Sequence, residues 1–134
     1  MLKIVPKPKH VPRATSDQIM VGLRAFFRIA QAWHLKNEHA MLLLGQPAKA
    51  TFHNWKKGVG KATASVDLAT RLSYVLGIFR ALEIIYQRPE LADRWVCQPN
   101  LAFGGQSALD RMMGGQITDL AAVRDYLDSV RGGW

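Results

Sequence analysis

The chain of 134 residues has almost no cysteine, no long apolar run and few acidic residues in its first half. Because Cys97 is the single cysteine, an internal disulfide and a cysteine-based zinc site are both excluded. No stretch approaches the roughly 20 apolar residues that a membrane-spanning helix needs. No apolar segment follows the basic residues at the start, as a secretory signal would require. These absences predict a cytoplasmic protein with no membrane partner, built as one domain or two small ones.

The patterns that indicate catalysis or cofactor binding are also missing. All four histidines lie before residue 54, without H-E-x-x-H spacing and without a carboxylate cluster. The segment "FGGQSALDRMMGG" matches neither the P-loop nor the dinucleotide-binding pattern, since no lysine follows its glycines. Its glycines instead predict a turn into a short helix capped by Ser107, and a helix end after it. We therefore expect no enzyme activity, no bound metal and no cofactor.

The charges are unevenly distributed along the chain. Residues 1–66 contain eleven Lys or Arg and two acids, whereas residues 67–134 contain seven Lys or Arg and eight acids. The basic half favours contact with a polyanion through phosphate groups, and the near-neutral half favours packing against protein. A basic surface that is merely solvated is the alternative.

Apolar residues recur at helical spacing through most of the chain, and no convincing strand or repeat interrupts them. The sequence therefore predicts an all-α fold. A first helix near 17–34 is expected to be capped by Ser16 or Asp17, with an inward stripe at Ile19, Leu23, Phe26, Phe27 and Ala30. A long helix is expected over about 65–87, with an inward stripe at Leu68, Leu72, Val75, Leu76, Phe79, Leu82 and Ile85. The other predicted helices have Asn37 as a cap, Pro47 in a first turn and Thr118 as a cap.

Two short helices joined at "LLGQPA" have the proportions of a helix-turn-helix. In that motif the second helix enters the major groove, where Asn pairs with adenine and Lys neutralises phosphates. The predicted DNA-contacting residues are Gln46, Lys49, Thr51, His53, Asn54, Lys56 and Lys57. Phe52 and Trp55 are predicted to be core residues. A helix pair used only for packing or dimerisation remains the alternative.

Four features follow one another in the C-terminal half: Trp95, a Pro99–Asn100 loop, "GQSAL" at 105–109, and Val123 with Leu127 in the last helix. This order resembles the toxin-binding domain of the Xre/ParS/MbcA-type antitoxins. The resemblance covers residues 65–133, and residues 17–60 resemble the Xre-like N-terminal domain of that family more loosely. Ala108 departs from the family pattern, which usually has proline there to rigidify the first helical turn.

Pro6, Pro8 and Pro12 lie among basic residues and disfavour a helix, so residues 1–16 are predicted to form a basic, Pro-rich, extended arm, with a disordered tail as the alternative. The resemblance implies an Xre-like helix-turn-helix domain at 17–62 and a toxin-binding domain at 63–134. The implied partner is a RES-domain toxin, an enzyme that degrades NAD⁺ or transfers ADP-ribose. The antitoxin is expected to bind it as a homodimer, to cover its active site and to repress its own operon.

The residues expected to face the toxin are Arg111, Arg124, Tyr126, Asp128, Arg131 and Trp134. Arg and Tyr are common interface anchors. Trp134 is expected to enter the pocket of the toxin, and a frayed end is the alternative. A free-standing helix-turn-helix repressor whose C-terminal half only dimerises is the competing interpretation.

Overall fold

A computed structural model describes residues 13–132, and this part of the chain is all-helical, which confirms the predicted fold class. Residues 1–12 of the predicted arm, and Trp134, lie outside the described residues. The helices are α1 (Ser16–Ala32), α2 (Asn37–Leu43), α3 (Lys49–Lys57), α4 (Val66–Ile85), α5 (Pro89–Trp95), α6 (Ala108–Met112) and α7 (Ile117–Val130). One 3-10 turn, Leu101–Phe103, lies between α5 and α6.

Helix α1 begins with a reciprocal cap at Thr15, one or two residues before the predicted caps Ser16 and Asp17. The Thr15 hydroxyl accepts from the Gln18 backbone N–H at 3.1 Å, and the Gln18 side-chain oxygen accepts from the Thr15 N–H at 2.8 Å. This capping box satisfies two free donors at once. Ser16 is not the cap, because its hydroxyl donates to the Ala62 carbonyl and ties the segment before α4 to the start of α1.

Three other helix starts also differ from prediction by one or two residues. Helix α2 begins at Asn37 with Lys36 in the cap position, and Pro47 lies just before α3 rather than in its first turn. Helix α7 is capped at Gln116, whose N–H donates to Asp119 Oδ2 at 3.1 Å, and Thr118 lies inside the helix. Neighbouring polar residues are all acceptable caps in a sequence, and the bonds formed locally decide between them.

Helix α4 is the central element, because α1 packs on one side of it and α7 on another. The predicted inward stripe is buried at Leu68, Leu72, Val75 and Leu82, whereas Leu76, Phe79 and Ile85 are only half-buried. Ile78 and Ala81, which lie off that stripe, are buried. Because both α1 and α7 pack on α4, the buried surface of this helix is broader than the single stripe that was predicted.

Arg71 lies buried on α4 and joins parts of the chain that are far apart in sequence. Its Nε donates to Asp67 Oδ2 at 2.9 Å. Its Nη1 donates to the Leu43 carbonyl at the end of α2, at 3.3 Å, and to the Gly115 carbonyl before α7, at 2.9 Å. The guanidinium therefore donates to carbonyls that are otherwise free at a helix end and in a turn. These hydrogen bonds hold α2, α4 and α7 in a fixed arrangement.

Candidate functional sites on the two halves

The turn between α2 and α3 uses two consecutive left-handed residues, Gly45 at φ 87° and Gln46 at φ 61°. Their N–H groups donate to the Leu42 and Met41 carbonyls at 3.2 and 2.8 Å, which ends α2 sharply. A Cβ atom at Gly45 would lie 2.9 Å from Arg71 Nε, so glycine also leaves room for the buried guanidinium. The result is a short turn between α2 and α3, as the helix-turn-helix interpretation requires.

Helix α3 has one buried anchor and an exposed polar surface. Phe52 is fully buried and packs edge-to-face on Phe27 at 5.5 Å between ring centroids, which confirms it as a core residue. Trp55 is half-buried against the same core. Among the predicted DNA-contacting residues, those that are exposed are Gln46, Lys49, Thr51, Asn54, Lys56 and Lys57.

Two of the predicted DNA-contacting residues have structural partners. His53 is half-buried, and its ring packs on Phe52 at 5.5 Å. Lys56 Nζ donates to Asn37 Oδ1 at 2.7 Å, which turns Lys56 toward the start of α2 and toward α1. The candidate surface therefore divides into an outward part around Asn54 and Lys57, and a flank at Lys56.

The candidate toxin-facing residues Arg124 and Asp128 form an ion pair along α7, with Arg124 Nε 3.1 Å from Asp128 Oδ1. The Arg124 guanidinium lies over Gly77 of α4, where a Cβ atom would overlap it. Gly77 thus allows α7 and α4 to approach closely, and Arg124 is both half-buried and held in place.

Tyr126 is the centre of an aromatic cluster, and this was not visible in the sequence. Its ring stacks on Trp95 of α5, with centroids 6.0 Å apart and an interplanar angle of 10°. Phe103 packs edge-on against Tyr126 at 5.3 Å. All three rings are half-buried, so one side of the cluster meets solvent. Trp95 and Phe103 therefore belong with Tyr126 on one candidate surface.

Leu101 is the most exposed large apolar side chain among the described residues, at 94 %. It lies on the 3-10 turn that precedes Gly104 and Gly105, both left-handed. The turn is ordered by hydrogen bonds. Asn100 Oδ1 accepts from the Ala102 N–H at 2.9 Å, and the Asn100 carbonyl accepts from the Gly105 N–H at 3.0 Å. The closed turn therefore holds an apolar side chain outward, in the same 3-10 turn as Phe103 of the aromatic cluster.

The remaining predicted toxin-facing residues lie at opposite ends of α7. Arg111 Nε donates to Asp119 Oδ1 at 3.0 Å, near the start of α7. Arg131 is exposed at the C-terminal cap, about 18 Å along the axis from Asp119 at 1.5 Å per residue. Trp134 lies outside the described residues. The predicted set therefore spans the whole length of α7 rather than one compact patch.

The glycine-rich segment has the structure that its capping pattern predicted. The Ser107 hydroxyl accepts from the Asp110 N–H at 3.0 Å, and Asp110 Oδ2 accepts from the Ser107 N–H at 3.1 Å. Helix α6 ends at Met112, and Gly115 is left-handed at φ 83°. This confirms Ser107 as a helix cap and the glycines as turn residues.

Between residues 13 and 132, no group of three or more His, Cys, Asp or Glu side chains is arranged to hold a metal ion. Partial desolvation, followed by the charge of Asp110, raises the pKa of the Cys97 thiol, so this cysteine is protonated at neutral pH. None of the helices described is long and apolar enough to cross a membrane.

Comparisons with known proteins match both halves of the chain. The antitoxin Xre-like helix-turn-helix domain matches residues 13–77, and the antitoxin Xre/MbcA/ParS C-terminal toxin-binding domain matches residues 81–133. The uncharacterized protein y4oB of Sinorhizobium fredii is 44% identical over 122 residues, which cover 91% of this chain and 93% of that relative. Both matched domains are typically non-enzymatic, and the second one implies a toxin as partner. The chain belongs to the Xre/MbcA/ParS antitoxin family.

Proposed function

We propose that this protein is the antitoxin of a RES-domain toxin that degrades NAD⁺ or transfers ADP-ribose, and that it neutralises the toxin by covering its active site. The observation that carries this proposal is the surface formed by Leu101, Phe103, Trp95 and Tyr126, because it lies inside the residues matched to a toxin-binding domain. Leu101 exposes nearly its whole side chain and costs little to desolvate on binding. The rings beside it are already ordered, so less side-chain entropy is lost.

The charged residues of α7 extend this toxin-facing surface. Arg124 is held by Asp128 and by its position over Gly77, so its guanidinium is preorganised for a carboxylate or a carbonyl of the partner. Arg131 is exposed at the end of the helix. Arg111 is likewise held by a carboxylate, that of Asp119, and it extends the proposed surface to the start of α7.

Trp134 completes the proposal as a side chain that enters the toxin pocket. A pocket that accepts the flat rings of a dinucleotide also suits an indole, and tryptophan is frequently an energetic anchor. The substitution Trp134→Ala tests this role without changing the length of the chain. Full inhibition of the toxin by Trp134→Ala would exclude the pocket role while leaving the rest of the surface intact.

The proposed function predicts a RES-domain protein encoded beside this chain, and that protein is the one used to test the function as a whole. The two proteins are co-expressed, purified through a tag on the toxin, and assayed for NAD⁺ consumption with and without the antitoxin. We expect a stable complex, with one antitoxin homodimer in it, and loss of the toxin activity. If the tagged toxin is purified free of this chain and remains fully active beside it, the antitoxin proposal is wrong.

We further propose that the same protein binds its own operator through α3 and represses its operon. Asn54 and Thr51 are the side chains available for base edges, and Lys49 and Lys57 are available for phosphates, since all four are exposed. The division at residues 62 and 63 is proposed as the boundary between the DNA-binding and the toxin-binding domain. A free-standing repressor would bind operator DNA equally well but would not capture the toxin, so the co-expression experiment separates the two interpretations.

A further inference from the structure

A continuous depression lies between α1 and α3, on the flank of the helix-turn-helix. It consists of a cavity of about 710 Å³ and a neighbouring one of about 160 Å³, which share Arg24, Phe27 and Lys56 as lining residues. We call it the basic cleft, and its polar and charged lining residues are Arg24, Arg28, Gln31, His34, Asn37, Lys56 and Lys57.

The basic cleft has an uncompensated positive charge. No acidic residue lines either cavity. Within residues 13–132, no carboxylate lies within 4.0 Å of a basic nitrogen of Arg24, Arg28, Lys56 or Lys57. A concave surface lined by charges of one sign concentrates the potential and attracts counter-charged groups.

Two features connect the cleft to the outward surface of α3. Lys56 is oriented into the cleft by its 2.7 Å hydrogen bond to Asn37 Oδ1, and Lys57 follows it on α3 as a lining residue of the smaller cavity. Arg24 and Arg28 are one helical turn apart, about 6 Å along the axis of α1. That separation is close to the axial rise of about 7 Å covered by two nucleotides of one DNA strand.

We propose that the basic cleft binds the phosphate backbone of duplex DNA, with Arg24 and Arg28 as DNA contacts in addition to those of α3. The proposal rests on the proposed DNA binding of this protein. The two arginines carry no sequence information themselves, and they fix the position of α3 on the duplex. Free nucleotides share the phosphate chemistry, but Arg24 and Arg28 are spaced along α1 by about the rise of two nucleotides, which suits successive phosphates of a strand.

The test measures duplex binding by fluorescence anisotropy over a range of KCl concentrations, with a duplex from the promoter of this chain and an unrelated duplex. Arg24→Gln with Arg28→Gln is expected to lower the slope of log K against log salt by about 1.8 on both duplexes, from about 0.9 for each lost phosphate contact. Arg24→Lys with Arg28→Lys retains the charges and is expected to keep most of the slope. The matched control is Arg88→Gln with Arg94→Gln, which removes two exposed arginines outside the cleft and is expected to leave the slope unchanged.

The outcomes separate this inference from the proposal on which it rests. If the unaltered protein binds neither duplex, DNA binding itself is wrong. If Lys49→Ala with Asn54→Ala, at two exposed positions of α3 outside the cleft, weakens binding while Arg24→Gln with Arg28→Gln does not, α3 binds DNA and the basic cleft does not. Calorimetric titration with ATP supplies the remaining arm. Loss of ATP binding in the cleft variant, with an unchanged salt slope on DNA, would assign the cleft to free nucleotides and overturn the proposal.

Discussion

The two halves of this antitoxin differ in how far their basic residues are paired with carboxylates. In α1 and α3, Arg24, Arg28 and the lysines of α3 have no carboxylate within ion-pair distance among the described residues. From α4 onward, an arginine pairs with a carboxylate at four places, with distances of 2.8 to 3.1 Å: Arg71–Asp67, Arg88–Glu90, Arg111–Asp119 and Arg124–Asp128.

This contrast separates arginines that an ion pair holds in one orientation from cations that have no carboxylate partner among the described residues. An exposed ion pair contributes little stability, but it fixes a long side chain in one orientation. The paired arginines therefore order helix ends and the face of α7. The unpaired cations of α1 and α3 generate a positive potential, which suits a polyanion. The sequence shows the excess of basic residues. Only the structure shows which of these residues pair with a carboxylate and which do not.

The largest expected effect concerns toxin binding by the C-terminal half, where most arginines are paired and Leu101 is exposed. Leu101→Asp is expected to weaken toxin binding by about 2–4 kcal/mol, roughly 30- to 1000-fold, because a carboxylate replaces a central apolar anchor. Calorimetric titration of the toxin with each antitoxin variant measures the change in affinity. The thermal midpoint of the free antitoxin should hardly move, since Leu101 is 94 % exposed. Val21→Asp alters an exposed valine on α1 and is the control. Equal affinities for the two variants would remove Leu101 from the interface.

The second effect concerns the arginine that joins the two halves. Arg71→Met keeps the apolar stem but leaves the carbonyls of Leu43 and Gly115 without their donor. We expect the free energy of unfolding to fall by about 2–3 kcal/mol, measured by urea denaturation, because unsatisfied buried acceptors are costly. Arg94→Met, at an exposed position, should change it by less than about 0.5 kcal/mol. A loss below about 1 kcal/mol for Arg71→Met would mean that water replaces the guanidinium.

The third prediction tests whether the halves act independently. Lys49→Ala with Lys57→Ala is expected to weaken operator binding by about tenfold or more near physiological salt and to lower its salt slope by about 1.8. Toxin neutralisation by the same variant should be unchanged, because both lysines lie on α3. The structure favours this pair over one that includes Lys56, whose ammonium bonds to Asn37. Parallel loss of both activities would indicate that DNA and toxin share one surface.

The smallest effect tests the order of the turn that presents Leu101. Ser107→Ala removes the hydroxyl that accepts from the Asp110 N–H, and we expect it to lower the free energy of unfolding by about 1 kcal/mol. Ser73→Ala changes an exposed serine inside α4 and is the control. Toxin affinity should fall less than it does for Leu101→Asp. An unchanged melting curve for Ser107→Ala would show that the cap contributes nothing to stability.

Local patterns predicted much of the fold because they depend on residues three or four positions apart. The stripe of Ile19, Leu23 and Phe26 located α1, and the Ser107 cap located α6. The caps of α1 and α7 were placed one or two residues late, since several adjacent polar residues satisfy the same local pattern. The inward stripe of α4 was incomplete, because a sequence does not tell how many neighbours a helix has.

The candidate surfaces were predictable only in part. The residues of α3 and α7 were named from motif and resemblance, and they remain predictions. Arg71, Leu101 and the contacts of Tyr126 were missed, because each depends on groups distant in the chain or on the absence of any neighbour.

The amino-acid sequence alone was enough for the all-helical class, the charge asymmetry and the turn role of the glycines, since helix periodicity, net charge and left-handed backbone are local properties. Tertiary packing determined which arginines are engaged, which leucine faces solvent and which rings form a cluster. These are properties of distances between α1, α4, α5 and α7, and such distances are set by burial of the shared core rather than by any short segment.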